Sequence, residues 1–447
     1  MPLTSNSGLN LPDLQTSGLT SLYKTESLSA PITTVNSSAS SYLEQVTIPS
    51  ISLPTNSPIS LPIGNGTNSS NSINYLTSPA VLPDFNGDGK TDQVWVNAQT
   101  GTIEIRLMNG AQVLQQGSLG SFGGSSGLNS WSYSLGDFNG DGKTDFLLHN
   151  KTTGANELVL MNGVQVANLI TLQSLAPEWT PTVGYFQGDR ETDILWHDTK
   201  TGQNTVWIMN ANNTTSPIVS TAVLANTTAN AIPTVVDFNA NGKDDILWRN
   251  PTTGANSVWF MNGAQETSYN LQSQDPAWTF TLGNFSGSGR TDLLWHNSTT
   301  GQNQIWSMNG IIATETTLNT LDTAWTSSIG DFNGDGKSDI LWHNQQNGQN
   351  MVWLMNGGSL TTQALLPTNS ANETAVIGNF NGDGKSEIYW RDNAAGADQI
   401  WTPSGNGTTV TQTSIAESNQ LSPIVVGTNG KPEVDSKGQP LIEWVVL

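Results

Sequence analysis

The chain has 447 residues, a formal charge of −21, only 15 lysines and arginines, and no cysteine. Disulfides and thiolate chemistry are therefore excluded, and a surface this acidic does not suit a nucleic-acid backbone. No run approaches the roughly 18 apolar residues that a membrane-spanning helix needs, so no membrane span is expected.

Residues 1–73 are rich in Ser, Thr, Asn and Pro, carry no repeat, and read as an extension that is partly disordered linker. The amino terminus lacks a basic start and a continuous apolar run, so no cleaved secretory signal is expected. From residue 74 to 418 the chain repeats itself. A nine-residue acidic loop recurs seven times, beginning at Asp84, Asp137, Tyr185, Asp237, Asn284, Asp331 and Asn379, with successive starts 47 to 53 residues apart. The first copy reads DFNGDGKTD, and the second and sixth are nearly identical to it.

The sixth copy shows the elements of one unit. WTSSIGDF (325–332) is a strand that leads into the loop, and DILWHN (339–344) is a second strand leaving it. MVWLM (351–355) is a third, Asn356-Gly357 makes a tight hairpin turn, and 361–366 is a fourth. Second-strand aromatics recur at Trp95, Trp196, Trp248, Trp295, Trp342 and Trp390, and third-strand ones at Trp207, Trp259, Trp306, Trp353 and Trp401. Exposing so many indoles would create a large apolar patch, so these rows are assigned to packing between neighbouring units. Four antiparallel strands, apolar on both faces and repeated near 50 residues, predict an all-β β-propeller of seven four-stranded blades. The tail, 419–447, leaves eight blades as the alternative. IVVG (424–427) and LIEW (441–444) resemble the opening strands of a degenerate unit that amino-terminal strands would complete.

The loop chemistry points to a hard cation. Side-chain oxygens at positions 1, 3, 5 and 9, a glycine at 6 and a main-chain carbonyl at 7 are the donors from which calcium loops are made. The first copy supplies Asp84, Asn86, Asp88 and Asp92 with the Lys90 carbonyl. The second supplies Asp137, Asn139, Asp141 and Asp145 with Lys143, and the sixth Asp331, Asn333, Asp335 and Asp339 with Lys337. Weaker sets are Asn379, Asn381, Asp383 and Glu387 with Lys385, then Asp237, Asn239, Asn241 and Asp245. The third loop keeps only Asp189 and Asp193, and the fifth only Asp292 as a charge. An EF-hand is excluded, because position 12 of the first loop is Trp95 inside a strand. Magnesium, with its strict octahedral demand, fits less well. Eighteen of the 36 acidic residues lie in these loops. About five to seven Ca2+ sites of graded affinity are expected, tighter where the anionic ligands are more numerous.

The loops, their spacing and the preceding Gly-Asp-Phe resemble the FG-GAP/VCBS repeat family, which is related to the propeller of integrin α subunits. The resemblance covers about residues 75–417. It implies calcium between the first and second strands on one face of the disc, with ligands engaging the opposite face. The third and fifth loops depart from the family pattern.

A second row lies at the far end of the second strand. His149, His197, His296 and His343 share one repeat position with Arg249 and Arg391. Each is followed by Asn or Asp, and a further amide or acid stands downstream, including Asn303 and Asn350. Trp131, Trp179, Trp278 and Trp325 begin first strands at the same face. Indole planes beside polar donors suit a sugar, whose CH face stacks while its hydroxyls find partners. The competing reading is architectural: the polar pairs tie a turn to the neighbouring blade. No zinc-type cluster, nucleophile elbow or thiol appears, and the paired carboxylates already serve as cation donors. The expectation is a monomeric, non-catalytic module at the cell surface or outside the cell, exported by a route without a cleaved signal. It would bind a glycan, or alternatively a protein as an adhesion module does, and a polysaccharide-acting enzyme is the third option.

Overall fold

The structure, a computed structural model, describes residues 82–97, 102–121, 130–392, 398–415 and 444–446. The extension at 1–73 and most of the tail, including 424–427, lie outside the described residues. The rest forms seven four-stranded antiparallel sheets. The sixth has strands Trp325–Gly330, Asp339–Asn344, Asn350–Asn356 and Ser359–Leu366, in the positions expected from the repeat. Contacts between successive first strands place these strands innermost in the ring, with the fourth strands at the rim.

The first sheet departs from this pattern. Its innermost strand is Trp444–Val446, which pairs antiparallel with Gln93–Asn97 in the register Trp95↔Val446. Trp444, expected to end the second strand of a degenerate eighth unit, instead begins the innermost strand of the first blade. The fold is a seven-bladed β-propeller.

Each sheet is apolar on both faces because it is sandwiched between two neighbours. Between the second and third blades, Phe138, Leu147 and Leu158 pack with Trp196, Trp207 and Met209. The paired second- and third-strand indoles of one blade meet at tilted angles, 5.2 Å between centroids for Trp342 and Trp353. Removing one such side chain costs about 3–5 kcal/mol.

The junction that closes the ring is built differently. Arg106 occupies the third-strand tryptophan position of the first blade, and Arg391 and Asp398 take the polar positions of the seventh. Both guanidinium groups lie against the Trp95 ring, at 4.5 Å for Arg106 and 4.2 Å for Arg391. Arg106 pairs with Glu104 at 3.3 Å and Arg391 with Asp398 at 2.6 Å, all four side chains being buried. This closing seam adds two buried ion pairs to an apolar cluster of Trp95, Met108, Phe380, Tyr389 and Ile400.

Candidate functional site

Each acidic loop leads into the second strand of its blade, and in five of the seven a glycine stands just before position 1. Gly136 is followed by Asp137, and a Cβ on Gly136 would stand 2.6 Å from Thr192 of the next blade. The blades approach too closely there for any side chain. Within the first loop, Gly87 and Gly89 have φ of 72° and 79°, the left-handed backbone that lets the loop turn about its own carboxylate. Asp84 accepts the N–H groups of Gly87, Asp88 and Gly89 at 2.7, 3.1 and 2.8 Å. Asn86 accepts the Asp88 N–H, and Asp88 accepts the Lys90 N–H. The second and sixth loops repeat this net.

Position 9 is buried and spans the blade. In the first loop Asp92 accepts the Phe85 N–H at 2.8 Å with one oxygen and the Met108 N–H at 2.9 Å with the other. Asp145, Asp193 and Asp339 make the corresponding pair of bonds. Asp245 accepts from Met261, and Glu387 from Phe380 and Asn381. Burial raises the position-9 carboxyls to about 7 in Asp92, Asp145, Asp193, Asp339 and Glu387, and to about 8 in Asp245. Backbone N–H groups act against that rise, whereas the carboxylates of Asp84 and Asp88 add to it at Asp92. Three acidic groups of one loop thus lie within electrostatic reach of each other.

Position 8 is a tie that the sequence reading passed over. The Thr144 N–H donates to the Asp84 carbonyl at 2.8 Å, and its hydroxyl accepts the Asp84 N–H at 2.8 Å. The same reciprocal pair joins Thr192 to Asp137, Thr291 to Asp237, Ser338 to Asn284 and Ser386 to Asp331. Thr91 to Asn379 closes the circle from the first blade to the last, and at one junction a carboxylate, Asp244, replaces the hydroxyl and accepts the Tyr185 N–H at 2.7 Å. All seven loops are therefore bonded into one ring. A hydroxyl in the same register of nearly every copy was the available signal.

At the opposite face, the row expected to meet a ligand is mostly inside the disc. His149, His197, His343, Arg249, Arg391, Asn303 and Asn350 are each at most 7% exposed, and His296 is half-buried. Each imidazole Nδ1 lies 2.7–2.8 Å from the Oδ1 of the downstream Asn: Asn156, Asn204, Asn303 or Asn350. Each ring then packs on the second-strand indole of the following blade, 5.2 Å from His149 to Trp196 and 5.0 Å from His343 to Trp390. Arg249 lies over Trp295 at 4.9 Å and donates to the Trp278 carbonyl at 2.8 Å. The amide side chains also donate to the connection between outer and next inner strand, as Asn350 does to the Pro367 carbonyl at 2.8 Å. The hydrogen bonds that these groups make run within the disc. The architectural reading accounts for these contacts. Trp131, Trp179, Trp278 and Trp325 differ, because they stand half-buried at the start of their strands, beside Asn150, Asp198, Asn297 and Asn344 in register.

The FG-GAP-like repeat model matches residues 84–148, 186–248, 284–342 and 331–390, more than half of the chain. The chain belongs to the FG-GAP-like repeat family. No curated protein matches this FG-GAP propeller. Among solved structures it is similar to a lectin of Agrocybe aegerita, described for specific recognition of non-reducing terminal N-acetylglucosamine. That match has a TM-score of 0.61 at 12% identity and covers 80% of this chain and 95% of the lectin. It is also similar to the dihydro-heme d1 dehydrogenase NirN, with a TM-score of 0.43 at 10% identity, over 75% of this chain and 76% of that one. At such identities the likeness is one of fold.

The loops of the FG-GAP propeller fit a hard cation by their donor chemistry. Asp84, Asn86 and Asp88, and their counterparts in the second and sixth loops, bring oxygen donors around a glycine cradle, with Asp92 behind them. No three His, Cys, Asp or Glu side chains converge tightly enough to hold an ion by themselves among the described residues. Amide and main-chain oxygens are therefore required to complete a site, as is ordinary for calcium.

Proposed function

We propose that the FG-GAP propeller is a non-catalytic, calcium-loaded binding disc that works outside the cell and holds glycans on the face opposite the loops. The observation that carries this reading is the set of half-buried indoles, Trp131, Trp179, Trp278 and Trp325, which rest on the core beneath them while the tryptophans of the second and third strands are buried. Each stands in register with an Asn or Asp that opens a polar turn. Asn297, for example, accepts the N–H groups of Thr299 and Thr300. An indole plane beside hydroxyls and amides presents the two chemistries that a pyranose needs. The lectin with the same fold supports the reading by analogy only. Several weak sites on one rigid disc gain by avidity, which argues for a multivalent target.

Calcium belongs to this reading as a structural ion. Asp84, Asn86 and Asp88 would hold it in the first loop, Asp137, Asn139 and Asp141 in the second, and Asp331, Asn333 and Asp335 in the sixth. A bound divalent ion supplies there the positive charge that the clustered carboxylates lack. A position outside the cell would put the loops where free calcium is abundant.

A glycan array probed with calcium-loaded protein, beside an aliquot treated with EDTA, tests the proposal. Binding to a defined sugar class, weakened about tenfold or more by Trp278→Ala or Trp325→Ala through loss of the stacking plane, is the expected outcome. A blank array from folded protein would turn attention to a protein-adhesion role. The exposed aliphatics of the outer strands, Val223 at 84% and Leu365 at 72%, would be the surface to test for it.

A further inference from the structure

The loops do not stand alone, because six of the seven are overlaid by position 7 of the loop that follows. The Lys143 side chain lies 3.5 Å from a Cβ placed on Gly87, Lys337 lies 3.1 Å from one on Gly287, and Lys90 lies 3.2 Å from one on Gly382. Lys243 covers Gly188 and Lys385 covers Gly334 in the same way. Position 7 is a lysine or arginine in six loops. The third loop breaks the rule with Glu191, whose Cγ lies 3.3 Å from a Cβ placed on Gly140 of the second loop. Its carboxylate is held there: Asn212, on the outer turn of the third blade, donates to Glu191 Oε1 at 3.2 Å and also to the Asn139 carbonyl. The second loop is therefore overlaid by a carboxylate side chain where the equally acidic first and sixth loops are overlaid by the stems of lysines. Within each of the three loops the position-7 lysine also lies 3.4–3.7 Å from its own position-5 aspartate, so that contact does not tell them apart.

We propose that Glu191 is a cross-blade specificity residue that makes the loop Asp137–Asp145 the tightest divalent-cation site of the disc. The inference rests on the calcium reading above and adds an order to the sites that the composition of each loop alone does not give. By that composition the first, second and sixth loops are equivalent, each with three aspartates, one asparagine and one lysine. Only the neighbour distinguishes them. The third loop, poorest in its own first ligands with Tyr185 and Gln187, gives its charge to the loop before it.

Calcium chloride titration of the full chain by calorimetry at low ionic strength, with terbium luminescence as a second readout, tests this. One charge near a divalent ion is worth roughly fivefold in affinity in a largely aqueous setting, so reversing it is worth about thirtyfold. The tightest step is expected to vanish in Asp141→Ala, to weaken about fivefold in Glu191→Gln and about thirtyfold in Glu191→Lys. Lysine is the residue that other loops carry there, so the fold accommodates it. The mirror change, Lys385→Glu, places a carboxylate over the sixth loop and is expected to strengthen that loop about thirtyfold. Should Asp141→Ala fail to fold, Lys385→Glu and Glu191→Lys decide the matter. An unchanged tightest constant in Glu191→Lys, or an unchanged sixth loop in Lys385→Glu, overturns the role of Glu191 while the calcium reading stands. Absence of any calcium step in the wild type overturns both.

Discussion

Two loop residues hold a left-handed backbone without being glycine: Arg190 at φ 74° and Ala240 at φ 55°. Their counterparts in the other loops are glycines, so the ring imposes its conformation on side chains that resist it. Such a residue costs about 1–2 kcal/mol relative to glycine, offset in part by the extra freedom glycine brings to the unfolded chain. Ala240→Gly is therefore expected to raise stability by about 1 kcal/mol, read as a higher thermal midpoint, with Arg190→Gly acting alike. A lower midpoint for both would mean that the loop geometry there is not what limits stability. Thr144→Val removes one hydroxyl from the ring of loop-to-loop bonds and leaves the Asp84 N–H without its acceptor. The loss should be about 1–3 kcal/mol, measurable by denaturant unfolding.

At the scale of strands and blades, the ionic seam makes a contrasting forecast. Arg391→Ala leaves Asp398 buried and unpaired, which costs about 3–5 kcal/mol. The double change Arg391→His with Asp398→Asn installs the pair that four other blades use, and should recover most of that loss in a thermal melt. Recovery by Arg391→His alone would show that Asp398 never depended on the guanidinium. The seam also shows how far the sequence could be read. The strands, the rows of indoles and the loops follow from patterns that recur within one repeat, and all appear in the fold. The polar row at the far face was ambiguous because a propeller buries both faces of a sheet, so alternation along a strand does not reveal which side a histidine can reach. Arg106 in a tryptophan position was visible as a broken row, but Arg391, which shares the Trp95 ring with it, and Asp398, which pairs with Arg391, lie almost 300 residues away in the chain. The Thr and Ser ties share that difficulty: each acceptor belongs to a different copy of the repeat.

For the whole molecule, the buried position-9 carboxyls set the response to pH. Their folded values, about 7 to 8, stand above the ordinary 3.8 for Asp and 4.5 for Glu. The folded, metal-free protein therefore binds protons more tightly than the unfolded chain. This contribution is complete below about pH 4 and is lost as the pH rises through 7 to 8. The thermal midpoint in EDTA should fall between pH 5 and pH 8. With calcium, which needs ionised ligands, the trend should reverse. A midpoint in EDTA that climbs over that interval would contradict the buried environment of these groups. The disc also has an order of assembly written into it. The strand Trp444–Val446 follows all seven loops in the chain, yet it forms the inner edge of the sheet that contains the first loop. During synthesis, the edge of Gln93–Asn97 must wait, unpaired on one side, while six other blades form beside it. Of the seven described sheets, the one that begins first is thus the last to be finished, and a nascent chain halted before Trp444 would carry an open strand edge ready to recruit whatever extended segment it meets.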